Sequence, residues 1–116
     1  MKIRIYETLK NIFTKNRDSI KNNIDYESAK MLLKNDENSV LVDVRSPQEY
    51  KETHLDGSIN IPIYEIEQKC KEIITNKNCI VIVYCQSGGR SSKAIKILEK
   101  QGYNKLYNIE GGLDNI

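Results

Sequence analysis

Apolar residues along the chain fall into two alternating patterns: short unbroken runs, and stripes that recur at helical spacing. Val40–Val44, Ser58–Ile61, Ile80–Tyr84 and Leu106–Ile109 read as strands. Ile80–Tyr84 is entirely apolar, β-branched or aromatic, as a strand buried on both faces requires. The stripes predict helices between them. Asp25 caps a helix over Tyr26–Lys34 with Ala29, Leu32 and Leu33 inward, and Pro47 opens a short one through Glu52. Tyr64–Ile74 turns Ile66, Cys70, Ile73 and Ile74 to the core. A further helix begins at the Ser91-Ser92-Lys93 run, faces the sheet with Ala94, Ile95, Ile97 and Leu98, and ends on Gly102 as a left-handed cap with Tyr103 folded back. Asn35–Asn38 is a polar break and Pro62 ends the strand before it. Strands alternating with helices predict an α/β domain whose parallel sheet is covered on both faces. Ahead of it, Met1–Ile20 places Tyr6, Leu9, Phe13 and Ile20 on one helical face with Ile5 and Ile12 beside it. The chain therefore divides into an amphipathic segment, 1–22, and a domain, 23–116.

Candidate chemistry sits where the central strand becomes a helix, at Cys85-Gln86-Ser87-Gly88-Gly89-Arg90-Ser91. Two glycines among short residues let successive N–H groups curl towards one point and form an anion cradle around the sulfur. The helix N-terminus adds partial positive charge and Arg90 a full one, so all three effects favour thiolate over thiol. Asp43 and Arg45 stand near the C-terminal end of their strand, where open parallel sheets keep their sites. Two roles suit them: catalysis, or an ion-pair network with Glu49 that fixes the loop near the site. His54 is the chain's one histidine and so the one imidazole open to a cysteine–histidine dyad, although an N–H cradle can hold a thiolate without a base.

Charge changes this picture only at the N-terminus. Of 18 basic and 16 acidic residues, six basic and two acidic fall within positions 1–22. A basic amphipathic helix there can pack on its own domain, pair with a second copy in a homodimer, or dock a partner or an acidic membrane surface. No basic and aromatic stripe speaks for nucleic acid, and no apolar run is long enough to span a membrane. Three cysteines, an odd number without a secretion signal, point to a reducing, cytoplasmic compartment. Cys70 reads as a core hydrophobe. Cys79 opens the central strand, so about 20 Å of extended chain keeps it from Cys85. Neither spacing makes a zinc site, and no metal or other cofactor is expected.

The Cys85-x-x-Gly-x-Arg90 loop resembles that of the rhodanese-like sulfurtransferases, and three further blocks resemble the family in the same order. These are Leu41-Val42-Asp43-Val44-Arg45 with Pro47-Gln48-Glu49-Tyr50, then His54-Leu55-Asp56-Gly57-Ser58-Ile59-Asn60-Ile61-Pro62, then Gly102-Tyr103 with Glu110-Gly111-Gly112. Together they cover about 24–113. The resemblance implies a three-layer fold with five parallel strands in the order 1-5-4-2-3. It also implies a Cys85 persulfide that takes sulfane sulfur from thiosulfate or another persulfide and passes it to a thiol or cyanide. Gln86, Ser87, Gly88, Gly89, Arg90 and Ser91 then bind substrate, with Arg90 on the anionic leaving group, while Asp43, Arg45, Glu49 and His54 are structural. Thr53 replaces the family's usual glycine, and the chain lacks most of a closing helix, whose place the N-terminal helix is expected to fill. The expected partners are a small sulfur donor and acceptor, or a thiol protein. A partner-loaded carrier and a non-catalytic interaction module are the alternatives. The same fold hosts phosphatases, whose loop is one residue longer, and both the six-residue loop and the absence of an obvious acid disfavour a phosphatase or an arsenate reductase.

Overall fold

The computed structural model describes residues 22–116. The helix read over Met1–Ile20, and any dimer through it, lie outside the described residues. From Asn22 onward the order is β1 (Asn23–Ile24), α1 (Tyr26–Asn35), β2 (Val40–Asp43), α2 (Pro47–Glu52), β3 (Ile59–Asn60), α3 (Ile66–Ile73), β4 (Ile80–Tyr84), α4 (Gly89–Lys100) and β5 (Lys105–Ile109), closed by a 3-10 turn (Gly112–Asn115). The five strands form one parallel sheet in the order β1-β5-β4-β2-β3. The alternating pattern of runs and stripes is thus realised as βα units with helices on both faces.

β4 lies in the middle and is buried along its length. Because side chains alternate along a strand, it feeds two cores. Val81 and Val83 pack with Ile66, Cys70, Ala94 and Leu98, beneath α3 and α4. Ile80, Ile82 and Tyr84 pack with Ala29, Leu32 and Ile109, beneath α1. The same alternation carries the next residue, Cys85, to the α3 and α4 side.

Capping sets the helices that frame the site. Asp25 accepts a hydrogen bond from the Ser28 N–H at 2.7 Å, and α2 begins with a complete capping box between Ser46 and Glu49 behind Pro47. Gly102, at φ +100°, ends α4, and the Tyr103 N–H returns to the Leu98 carbonyl at 3.1 Å. The Tyr103 hydroxyl then donates to the carbonyls of Cys70 and Ile74, tying α3 to the end of α4.

Two expectations need correction. α3 starts at Ile66, because Pro62 to Glu65 form a turn that leaves Tyr64 71% exposed. Ile73, read as inward, is exposed: Ile66, Cys70 and Ile74 make the buried stripe and Ile73 falls at its edge. No described helix is long and apolar enough to cross a membrane.

Candidate active site

Cys85 follows the last residue of β4 and is 1% exposed. Past it the chain must reverse into α4 within a few residues, which Gly88 permits by adopting φ +109° as the helix N-cap. That reversal aims the start of α4 back at the sulfur. The Gly88 N–H donates to Sγ at 3.1 Å and the Ser91 N–H at 3.4 Å, while the Ser91 hydroxyl lies 3.4 Å from Sγ. Burial pushes the thiol's pKa up. The Ser91 hydroxyl and the N–H groups of Ser91, Gly88 and Ser87 outweigh it, so the pKa lies below its ordinary value.

The 3-10 turn holds this loop from the other side. The Leu113 N–H donates to the Cys85 carbonyl at 3.0 Å and the Asp114 N–H to the Gln86 carbonyl at 2.9 Å. Gly112, at φ +61°, packs against both carbonyls with no room for a side chain. Gly112, Leu113 and Asp114 are therefore a clamp on the nucleophile's backbone.

Asp43 and Arg45 form a buried ion pair, with Arg45 Nη2 2.7 Å from Asp43 Oδ2. The rest of the Arg45 fork donates to the Thr53 carbonyl at 2.6 Å and to Gln86 Oε1 at 3.4 Å. The pair thus braces the second loop residue from the neighbouring strand. Gln86 itself donates through Nε2 to Asp114 at 2.6 Å, while Ser87 is exposed at the mouth.

Glu49 does not complete that network as the sequence reading had it. From the first turn of α2, anchored by Ser46, its carboxylate turns to Arg90 and accepts from Nη1 at 2.6 Å and Nη2 at 3.1 Å. Arg90 stands in the first turn of α4. Its guanidinium, expected to be free for an anionic leaving group, is held by a carboxylate of the chain's own. Arg90 holds the Glu49 pKa down at about 2, against the effect of burial and with help from Ser46. Glu49 in turn raises the Arg90 pKa, while the Cys85 thiolate and Asp43 add smaller attractions. Hydrogen bonds from Ser91, Gly88 and Ser87, rather than Arg90, therefore supply the main stabilisation of the thiolate.

His54 lies away from the sulfur's hydrogen-bond shell. Its ring stacks on Tyr50 with centroids 3.8 Å apart, and Nδ1 lies 2.7 Å from the Tyr50 carbonyl, to which it donates. It borders a surface hollow of about 410 Å³ with Tyr26, Lys30, Leu33, Leu41, Leu55 and Asp56, none of them from the Cys85–Ser91 loop. The residue is a brace at the end of α2. Cys70 and Cys79 are buried free thiols, and burial raises the Cys79 pKa. Among the described residues no cluster of His, Cys, Asp and Glu side chains is arranged to hold a metal ion.

Sequence reasoning missed the Ser91 hydroxyl as a partner of the sulfur, and Asp114 as the partner of Gln86. The first had a weak signal, since a residue six positions after the cysteine and inside the first helical turn returns towards the loop. The second had none.

The model of the rhodanese-like domain matches residues 25–116. Thiosulfate sulfurtransferase PspE of Escherichia coli is 40% identical over 75 residues, covering 65% of this chain and 71% of PspE. YrkF of Bacillus subtilis, whose name marks it as a candidate sulfur carrier protein, is 34% identical over 90 residues, or 78% of this chain. The chain spans about half of YrkF, 48%. A solved structure of a rhodanese with anions from E. coli superposes with a TM-score of 0.62 at 37% identity, over 67% of this chain and 91% of that one.

Proposed function

The chain belongs to the rhodanese-like domain family, and from that premise we propose that it is a sulfurtransferase whose Cys85 carries sulfane sulfur as a persulfide. The observation that carries this reading is the sulfur's surroundings: a buried thiol with two N–H donors and a hydroxyl within 3.4 Å, at the start of a helix. Such a site stabilises negative charge without a general base.

The Cys85 thiolate attacks the outer sulfur of the donor. A sulfur–sulfur bond forms to Cys85 as the donor's own breaks, and the leaving group departs with the electron pair, as sulfite from thiosulfate or as a thiolate from a persulfide. An acceptor thiol or cyanide then attacks that outer sulfur and returns Cys85 as thiolate. The first N–H groups of α4, from Gly89 to Ser91, have no acceptor within the helix and suit the charge on the outer sulfur. Gln86 and Ser87 border the approach and bias the choice of acceptor. The three thiols, with no cysteine paired among the described residues, fit a reducing compartment, and we place the protein in the cytoplasm.

Steady-state turnover tests the reading, with thiosulfate as donor and cyanide or a thiol as acceptor. Catalysis that depends on Cys85 supports it. A protein that gains sulfur only from a partner protein would be a carrier instead, a reading favoured by the resemblance to YrkF and by the occupied guanidinium of Arg90.

A further inference from the structure

The charges around the mouth are paired within the chain itself. Arg90 is held by Glu49, and Arg45 is buried against Asp43. The position after the nucleophile is Gln86, neutral, and its carboxamide joins Arg45 on one side to Asp114 on the other. Two guanidinium groups therefore stand against three carboxylates in these two neighbouring networks, and together they are net negative even before the thiolate is counted.

A dianion such as thiosulfate places charge on a sulfonate that must be matched outside the N–H cradle. Arg90 is the cation nearest that task, and a donor can use it only by displacing a bidentate carboxylate at 2.6 and 3.1 Å. A persulfide borne on a thiol makes no such demand. Its reacting form, R–S–SH, brings no anionic group to be matched outside the cradle, and its leaving thiolate needs no guanidinium. Resting on the sulfurtransferase reading above, we infer that Glu49 is a specificity-determining residue, which by occupying Arg90 selects against dianionic sulfur donors and for thiol-borne persulfides. The transfer balances without an oxidant: Cys85 thiolate and R–S–SH give the Cys85 persulfide and R–S⁻.

Glu49→Gln tests this, because the amide oxygen still accepts from the Ser46 N–H at the head of α2 while the negative charge that occupies Arg90 is lost. Loading of Cys85 is followed with thiosulfate and with cysteine persulfide. The ratio of kcat/KM for thiosulfate to that for cysteine persulfide should rise about tenfold in the variant, through the KM for thiosulfate, since specificity is a difference between two affinities. A ratio unchanged by the substitution, or a change confined to kcat, overturns the inference. The wild-type protein gives a second test that needs no variant: cysteine persulfide should be preferred by more than about tenfold, and equal use or a preference for thiosulfate also overturns it. Either of those results leaves the sulfurtransferase reading standing. Loading from neither donor removes that reading itself, and with it this one.

Discussion

Replacing Ser91 by alanine isolates one hydrogen bond to the nucleophile. The side chain is fully buried, and its oxygen lies 3.4 Å from Cys85 Sγ and 3.2 Å from the Gly88 carbonyl. When Cys85 is a thiol, S–H donates to that oxygen and the hydroxyl donates onward to Gly88. When Cys85 is a thiolate, the hydroxyl turns to the sulfur, and Gly88 keeps its bonds from the Ser92 hydroxyl at 2.7 Å and the Ser92 N–H at 3.1 Å. The alanine variant therefore leaves only the weak S–H donor of the thiol without its partner and should cost the fold less than about 1 kcal/mol. For the thiolate the loss is larger. A hydrogen bond to a charged group contributes roughly 1.5 to 3 kcal/mol, and the long sulfur contact puts this one at the lower end. Losing it should therefore raise the Cys85 pKa back towards or above the ordinary thiol value. The assay is the pH dependence of iodoacetamide alkylation, read at the Cys85 peptide by mass spectrometry. A midpoint unchanged between wild type and variant refutes the view that this hydroxyl holds the thiolate, and leaves the stabilisation to the N–H groups of Gly88 and Ser91.

Three further outcomes are expected. Gly112→Ala places a methyl group 2.7 Å from the Gln86 carbonyl, at a backbone angle that L-residues rarely adopt, so it should destabilise the domain by more than about 2 kcal/mol and displace the loop, visible as a lowered Tm and slower Cys85 alkylation. Glu49 is lowered from an ordinary 4.5 to about 2, so the stability of its pair is complete above pH 4.5 and fades as pH falls towards 2. With both partners about a third exposed, solvent screening limits it to about 1 kcal/mol, and acid unfolding of Glu49→Gln should be less steep over that window than that of the wild type. Cys70→Ser and Cys79→Ser should each leave sulfur loading in place, since both thiols lie in the core below α3 and β4 with no N–H cradle, and lower only the melting temperature.

Local signals carried most of the fold. Ile80–Tyr84 could be little other than a central strand, and Ser46-Pro47 with Glu49 at the third helical position specifies α2 by itself. β1 escaped the pattern, because two residues with one buried side chain make no periodicity. It exists because β5 offers an edge: Asn23 and Ile24 pair with Asn108 and Ile109, and the Asn22 side chain donates to the Leu106 carbonyl. The nucleophile and its loop were legible because strand, glycines and helix start are contiguous. The electrostatic partners were not. Glu49 and Arg90 are 41 positions apart, as are Arg45 and Gln86, and only the sheet order that sets β2 beside β4 brings them together. A carboxylate at the head of α2 has both arginines within electrostatic range, so the choice between them is a tertiary fact.

Intact-protein mass spectrometry after incubation with a sulfane-sulfur donor tests the central claim most directly. Thiosulfate and cysteine persulfide are supplied separately, to the wild type and to Cys85→Ser, and the product is treated with a reductant as control. The account predicts that the wild type gains the mass of one sulfur atom, reversibly, while Cys85→Ser gains none. A wild type that gains no sulfur from either donor, or a Cys85→Ser protein that gains it equally well, contradicts the account.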